Sequence, residues 1–341
     1  MSKSNPELHH DIDRLTERLR ALSRRHHVPG GSLSLIAPDA PLTDVSFGVC
    51  EEGGEAVVDS ETVFEGASLA KPIFAHWLLE EAAKGRFDLD RPVLDHFEDR
   101  QFPEERWGRI EVHPVFAERV TARQILGHTS GLGNWQEDRI NRFSFEPGSD
   151  FRYSGEGFTL LQRAVEQERG APIETFLNRD VFEVLGMHRS ALVWDADSMA
   201  NFAIGHGERN DGVGSEWSEA AVAYSLYTTA HDYARFIEHL LSLDDARDPL
   251  RVDPVVSVTP HVSWTLGWGH QRSDSQVALF QWGDLGDFTA FAIRFPEQKR
   301  GMVLVTNGAE GLRIARTLVA ELYDGPHPCF PEFVFNREFS D

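Results

Sequence analysis

The chain reads Ser68-Leu69-Ala70-Lys71-Pro72 where a strand-like segment gives way to a helical one. Proline is tolerated in the first turn of a helix but not deeper, so Pro72 requires the helix to begin at about Ser68. Ser68 therefore lies beside free backbone N–H groups at the positive end of the helix dipole. Lys71 shares a helix face with Ser68, so its amine can reach the hydroxyl.

Lys71 is one of only four lysines among the 33 basic residues of the chain. Arginine keeps its proton in proteins, whereas lysine becomes a base once burial or a neighbouring cation lowers its pKa. A lysine at this position of an arginine-rich sequence indicates an activated serine nucleophile. The alternative is a serine at a helix start followed by an incidental lysine, and the short motif alone does not decide between the two.

The composition bounds the class of protein. With 341 residues the chain is long enough for two subdomains, and its net charge of −22 argues against nucleic acid and anionic membrane surfaces as partners. Cys50 and Cys329 are too few for a disulfide framework and indicate reduced thiols. Because residues 1–30 show no signal-peptide pattern and no apolar run approaches the ~18 residues that span a bilayer, we expect a cytoplasmic protein.

Helical and strand-like patterns alternate along the chain. A capped helix is expected from Asn5-Pro6 onwards, burying Leu8, Ile12, Leu15, Leu19 and Leu22. Further helices are predicted at residues 69–84, 155–169, 233–243 and 312–323, and strands at 31–37, 45–50, 57–64, 264–270, 277–282, 288–295 and 301–306. Strands at both ends predict one sheet built from residues 1–87 and 216–341, with a helical subdomain at 88–215 inserted into a single catalytic unit.

Residues 147–155, PGSDFRYSG, place Tyr153 between a Pro-Gly turn and a predicted helix. A tyrosine on such a loop could relay a proton between the serine and a leaving group. The commoner role of a tyrosine is a half-buried core residue whose hydroxyl is tied down by a hydrogen bond.

Residues 281–288, QWGDLGDF, join two strand-like runs. A small residue such as Gly283 lets an edge strand approach a substrate closely, and a backbone N–H there can serve as an oxyanion donor. The alternative is a hairpin turn that uses glycine where φ must be positive.

In this order, the three elements resemble the serine β-lactamase and penicillin-binding-protein-like family, most closely its class C-like branch, which includes D-peptidases and β-lactamase-like carboxylesterases. The resemblance runs from about residue 28 to residue 322. Five further segments carry it: 120–132 (VTARQILGHTSGL), 182–187 (FEVLGM), 228–236, 266–269 (LGWG) and 301–307.

The resemblance implies an α+β fold of the β-lactamase/transpeptidase type, in which helices flank an antiparallel sheet built from both termini and a mostly helical lobe is inserted. Ser68 would be the nucleophile that forms an acyl-enzyme, and Lys71 the base or the partner of Tyr153. The oxyanion would lie between the backbone N–H groups of Ser68 and Asp284. Neither a cofactor nor a metal is implied.

Two departures from the family pattern bear on the substrate. The family's Tyr-x-Asn reads YSG at residues 153–155, so the asparagine amide is missing. The family's third motif begins with Lys or His, whereas Gln281, Trp282 and Gly283 stand here on the strand that would bind substrate. A charge-assisted contact of ~1.5–3 kcal/mol is thereby lost. This favours neutral esters or amides over β-lactams and D-amino acid peptides, and esterase relatives carry a similar Trp-Gly pair.

Other residues are weaker candidates. His128 could be a general base, although the resembling loop gives it a structural role. Asp284 and Asp287 would place negative charge near the oxyanion site and discourage anionic substrates. Four aromatic side chains could line an acyl pocket, with core packing at least as common for such residues: Trp135, Trp264, Trp268 and Phe288.

We therefore predict a cofactor-free serine hydrolase that acts through an acyl-enzyme on a small ester or amide. One alternative is a true β-lactamase or a D-amino acid-specific peptidase, and another is a binding or sensor protein that kept the fold without turnover. The sequence contains no H-E-x-x-H, no zinc-type Cys/His spacing, no dinucleotide or P-loop signature and no G-x-S-x-G.

Overall fold

The protein is described by a computed structural model. The structure describes residues 11–98, 100, 109–111, 114–134, 140–196, 199–207, 215–243, 249–273 and 276–336. The helices are α1 Ile12–His26, α2 Ala70–Ala83, α3 Pro114–Ala117, α4 Ala122–Leu126, α5 Gly155–Arg169, α6 Ile173–Leu177, α7 Glu183–Leu185, α8 Ala230–Ser242 and α9 Gly311–Leu322. The strands are β1 Gly30–Ile36, β2 Thr43–Gly48, β3 Phe64–Ala67, β4 Arg109–Glu111, β5 Ile140–Arg142, β6 Leu226–Thr228, β7 Val256–Ser257, β8 Val262–Trp264, β9 Gly269–Arg272, β10 Val277–Asp284, β11 Thr289–Phe295 and β12 Arg300–Thr306.

Within the described ranges, eight strands form the central antiparallel sheet, in the order β2-β1-β12-β11-β10-β9-β8-β7. Strand β1 pairs with β12, with Leu33 opposite Leu304. Since an antiparallel sheet needs no crossover helix between neighbouring strands, a long segment can be inserted between β2 and the C-terminal strands. The predicted sheet built from both termini is confirmed. The division into subdomains at residues 88 and 215 stays a prediction.

Both faces of this sheet are covered. Side chains alternate along a strand, so Met302 and Leu304 of β12 pack into a core shared with α1 and α9, whereas Val303 and Val305 pack into a second core with α2 and α8. A sheet buried on both sides reads as a nearly continuous apolar run. No helix in the described ranges is both long and apolar enough to cross a bilayer.

The N-terminal helix agrees in part with the prediction. Leu15, Leu19 and Leu22 of α1 are buried as expected, while Ile12 is 53% exposed because it starts the helix beside the Asp11 N-cap. The expected start at residues 5 and 6 lies outside the described residues.

Two predicted strands are misplaced. Residues 57–64 do not form one strand, because Val57 and Val63 make only isolated bridges and β3 starts at Phe64. The run 264–270 is split by a turn in which Gly267 has φ +103°, and a Cβ there would lie 2.4 Å from the Cβ of Ala75 in α2. The close approach of this turn to α2 therefore requires the break.

Candidate active site

Ser68 lies in the tight turn between β3 and α2. The helix begins at Ala70, so Pro72 falls in its first turn, as the sequence predicts. The preceding residue, Ala67, has φ +50°, a left-handed conformation that costs a non-glycine residue about 1 kcal/mol or more. The turn leaves Ser68 partly exposed while Leu69 and Ala70 are buried.

Lys71 is buried next to this hydroxyl. Its Nζ lies 2.9 Å from Ser68 Oγ and donates to the carbonyl oxygen of Ala223 at 2.6 Å. The side chain is 1% exposed, and burial lowers its pKa to about 7. Desolvation disfavours the ammonium form, so a large fraction of Lys71 is neutral at neutral pH and can accept a proton.

The Ala223 carbonyl is a site group that sequence reasoning missed. It also accepts a weaker hydrogen bond from Ser68 Oγ at 3.3 Å. The buried amide of Gln162 in α5 holds this segment, accepting from the N–H of Val222 and donating to the carbonyl of Ala220, each at 2.9 Å. A backbone carbonyl leaves no signal in the residue types. A glutamine within the helix that follows Tyr153 is a weak signal.

Tyr153 immediately precedes α5 and is held by His128. The Ser154 N–H donates to Nδ1 of His128 at 3.0 Å, and the imidazole stacks on the Tyr153 ring at a centroid distance of 4.3 Å. Burial holds the pKa of His128 well below its usual value. A neutral imidazole that already accepts a backbone hydrogen bond supports the tyrosine and is not placed as a base.

The hydroxyl of Tyr153 reaches the other members of the group. It accepts from Nε2 of Gln281 at 2.9 Å, and the centroid of the Tyr153 ring lies 4.9 Å from Lys71 Nζ. Burial raises its pKa well above the usual value for a tyrosine. The hydroxyl therefore keeps its proton at neutral pH.

Strand β10 runs along this group. A Cβ on Gly283 would lie 2.4 Å from the carbonyl oxygen of Gly66 and 2.9 Å from the Cβ of Ala67, so only glycine allows β10 to pack this closely against the end of β3. Asp284 therefore lies beside the turn that holds Ser68. Its carboxylate accepts from the Gly286 N–H at 2.8 Å.

The side chains of Gln281 and Trp282 make different contacts at the site. Gln281 is fully buried and points inward, whereas the indole of Trp282 packs on Tyr153 at 4.8 Å and on Phe333 at 5.1 Å between centroids. The C-terminal turn Phe330–Val334 thus closes the aromatic side of the site.

Most of the weaker candidates are core residues. Trp264 and Phe288 are fully buried, and Trp268 is 3% exposed, so packing accounts for all three. Trp135 lies outside the described residues. Asp287 is also buried and accepts from the Phe288 N–H.

Gly155, which stands where the family's motif has asparagine, lies next to Asn134. The Gly155 N–H donates to Oδ1 of Asn134 at 2.9 Å, so an asparagine amide does reach this place from the loop after α4. Sequence reasoning did not single out Asn134.

Comparison with known proteins identifies the class. The family model "Beta-lactamase" matches residues 12–323, so the chain belongs to that family. The resemblance inferred from the motifs is confirmed.

Curated relatives carry several activities in their names. Penicillin-binding protein 4 of Amycolatopsis lactamdurans is 28% identical over 238 residues, 65% of this chain and 59% of that protein. Esterase EstB of Burkholderia gladioli is 28% identical over 208 residues, 51% of this chain and 49% of that protein. The chain spans between 39% and 60% of the length of the curated relatives that it matches.

Solved structures show the same fold. A class C β-lactamase superposes with a TM-score of 0.73 at 19% identity, covering 92% of this chain and 97% of that one. The β-lactamase/D-alanine carboxypeptidase of Pseudomonas syringae superposes with a TM-score of 0.74 at 16% identity, covering 92% and 99%. The predicted α+β fold of the β-lactamase type is confirmed.

Proposed function

We propose that this protein is a serine hydrolase that transfers the acyl group of a small neutral ester or amide to water through Ser68. The observation that carries the proposal is the buried Lys71 amine, 2.9 Å from Ser68 Oγ with its pKa lowered to about 7. A serine becomes a useful nucleophile when a base of suitable pKa lies within hydrogen-bond reach.

Lys71 acts as the base in acylation. Its neutral amine donates one hydrogen to the Ala223 carbonyl, which orients the lone pair, and takes the proton of Ser68 as Oγ bonds to the substrate carbonyl carbon. The oxyanion that forms is received by the backbone N–H groups of Ser68 and Asp284. Tyr153 is the less suitable base, because burial raises its pKa.

Tyr153 acts as the acid that releases the leaving group. Its proton passes to the leaving oxygen or nitrogen as the bond to the carbonyl carbon breaks, and the Lys71 ammonium returns a proton to the phenolate oxygen. A water then attacks the acyl-enzyme, gives its proton to the same pair, and Ser68 recovers its hydrogen as the acid leaves. Protons balance over the cycle.

The third motif supports a neutral substrate. Gln281 and Trp282 offer a buried amide and an indole where the family usually has a cation and a hydroxyl, and the Asp284 carboxylate lies on the next position of the strand. A substrate carboxylate would find no charge-assisted partner on this strand. The esterase among the relatives is consistent with this choice.

A fluorophosphonate probe tests the proposal, because it forms a stable bond with an activated serine. We expect a one-probe mass increase on Ser68 in the wild type, none in Ser68→Ala, and an unchanged reaction in Ser149→Ala, which removes an exposed serine. Labelling of Ser68→Ala at the wild-type rate would contradict the proposal, and no labelling of the wild type would favour a binding or sensor protein.

The choice of substrate is tested by comparing the hydrolysis rates of three compounds. We expect 4-nitrophenyl acetate to be hydrolysed about 10- to 100-fold faster than nitrocefin or a D-Ala-D-Ala peptide, given the lost carboxylate contact. Comparable rates would favour the β-lactamase or peptidase alternative.

A further inference from the structure

Gln281 occupies the first position of the third motif, yet its amide faces the interior and not the substrate side. The side chain is fully buried. Its Nε2 donates to the Ser68 carbonyl oxygen at 3.0 Å and to the Tyr153 hydroxyl oxygen at 2.9 Å. Both N–H groups of the amide are thus used by the catalytic group itself.

The orientation of this amide follows from chemistry. The Ser68 carbonyl oxygen can only accept a hydrogen bond, so the amide nitrogen and not Oε1 must face it. The same nitrogen then donates to Tyr153, whose oxygen becomes the acceptor. The single proton of Tyr153 must therefore point away from Gln281.

We propose that Gln281 is a positioning residue that orients the Tyr153 hydroxyl, so that its proton points away from Gln281 and is available to the leaving group of the substrate. This inference rests on the proposed function. In the step it serves, the Tyr153 O–H bond breaks, the proton goes to the leaving oxygen, and the phenolate oxygen formed keeps the hydrogen bond from Gln281 until Lys71 returns a proton.

The unused end of the amide supports a functional role. Oε1 of Gln281 is buried and meets no hydrogen-bond donor in the described part of the chain. A buried acceptor without a donor destabilises the fold, so a residue kept only for packing would be better apolar. The amide is retained where its two donors serve Ser68 and Tyr153.

A neutral donor also suits the buried Lys71. A lysine at position 281 would place a second cation near Lys71 and lower its pKa further. The amide donates to Tyr153 without adding charge, and burial alone accounts for the lowered pKa of Lys71.

Two acetate esters test this role, because they form the same acetyl-enzyme and differ only in the leaving group. 4-Nitrophenolate departs without a proton, whereas the ethoxide of ethyl acetate needs one. In Gln281→Met, which keeps the side-chain length but removes the donors, we expect kcat/KM to fall about 100-fold for ethyl acetate and only about 5-fold for 4-nitrophenyl acetate. Melting temperature and near-UV circular dichroism report whether the variant is folded.

Three further variants complete the test. Tyr153→Phe should show the same contrast between esters, and the double variant with Gln281→Met should be no slower on ethyl acetate than Tyr153→Phe alone. Gln281→Lys restores a donor, so ethyl acetate activity should return to within about 10-fold of the wild type, with the rising limb of its pH profile moved to lower pH.

Equal losses on both esters, or additive losses in the double variant, would overturn the inference while leaving the proposed function intact. A wild type that forms no acetyl-enzyme with either ester would overturn both. The Ser68→Ala protein provides the baseline for that distinction.

Discussion

Helix α2 carries a lysine at each end, and the surroundings of the two side chains differ. Lys71, in the first turn, is 1% exposed, and within the described part of the chain its Nζ is hydrogen-bonded only to the neutral oxygens of Ser68 and Ala223. Lys84, after the last turn, has a half-exposed side chain, and its Nζ lies 3.8 Å from the Glu81 carboxylate. The two residues are about 20 Å apart along the helix axis.

The difference shows how the surroundings of a lysine side chain set its pKa. At the C-terminal end of α2, the buried Glu81 carboxylate also binds Arg86 at 2.7 Å and Arg169 at 3.0 Å, so the charges there are paired. A nearby carboxylate stabilises an ammonium, whereas burial without one destabilises it. The Lys71 side chain is buried and has no carboxylate partner among the described residues, which explains its lowered pKa.

Removing each lysine in turn should give the largest contrast. Lys71→Met removes the proposed base and should lower kcat about 10³–10⁴-fold on 4-nitrophenyl acetate. Lys84→Met, the matched control, should leave kcat within about twofold of the wild type. Steady-state kinetics on both variants check this, and a similar loss in both would remove the distinction between the two ends of α2.

The lowered pKa of Lys71 should also appear in stability. Between pH 7 and the ordinary lysine pKa of 10.5, the unfolded chain binds a proton at Lys71 that the folded chain does not, so this residue makes stability rise with pH. The stability advantage of Lys71→Met over the wild type should therefore shrink by about 3 kcal/mol from pH 6 to pH 9.

Urea unfolding of both proteins at the two pH values measures this change, with Lys84→Met as the reference for other titrating groups. A stability difference between Lys71→Met and the wild type that stays constant with pH would mean that the folded pKa of Lys71 is not lowered.

The position of the Ala223 carbonyl should depend on the Gln162 side chain. Gln162→Leu leaves the Val222 N–H and the Ala220 carbonyl without their side-chain partner, so we expect a loss of about 2 kcal/mol in the free energy of unfolding and about a 10-fold fall in kcat. Gln167→Leu, on the exposed face of the same helix, is the control for both measurements. Normal kcat in a folded Gln162→Leu would show that Ala223 needs no such support.

Glu81 should matter for stability alone. Glu81→Gln removes the charge that Arg86 and Arg169 share, and because both arginines are partly exposed we expect a loss of only about 2 kcal/mol, with kcat unchanged. Chemical denaturation and kinetics compare it with Glu17→Gln, which changes an exposed carboxylate. A fall in kcat would show that the two ends of α2 are coupled.

The proposed reactive group could be named from the sequence, because each of its members belongs to a local signal. Pro72 places Ser68 at a helix start, and the three-residue spacing places Lys71 beside it. Tyr153 stands between a turn and a helix that the structure reproduces at Gly155–Arg169. Strand patterns at both ends of the chain predicted one sheet built from both termini, and the resemblance to the family implied the α+β fold.

What escaped prediction depends on contacts between distant segments. The Ala223 carbonyl is a backbone atom, and its position is set by the side chain of Gln162 on another element. The inward orientation of Gln281 depends on how closely β10 packs against β3. The predicted strand at residues 57–64 was wrong for a related reason. Strand β3 pairs with β6, more than 150 residues later in the chain.

The most direct test of the central claim is an NMR titration of the Lys71 ε-carbon. The chain has four lysines, so [ε-¹³C]lysine labelling gives four signals, and the one missing from Lys71→Met is assigned to Lys71. We predict that this signal titrates with a midpoint near pH 7. A Lys71 signal that keeps the ammonium shift to pH 9 would contradict the account, because the serine would then have no base.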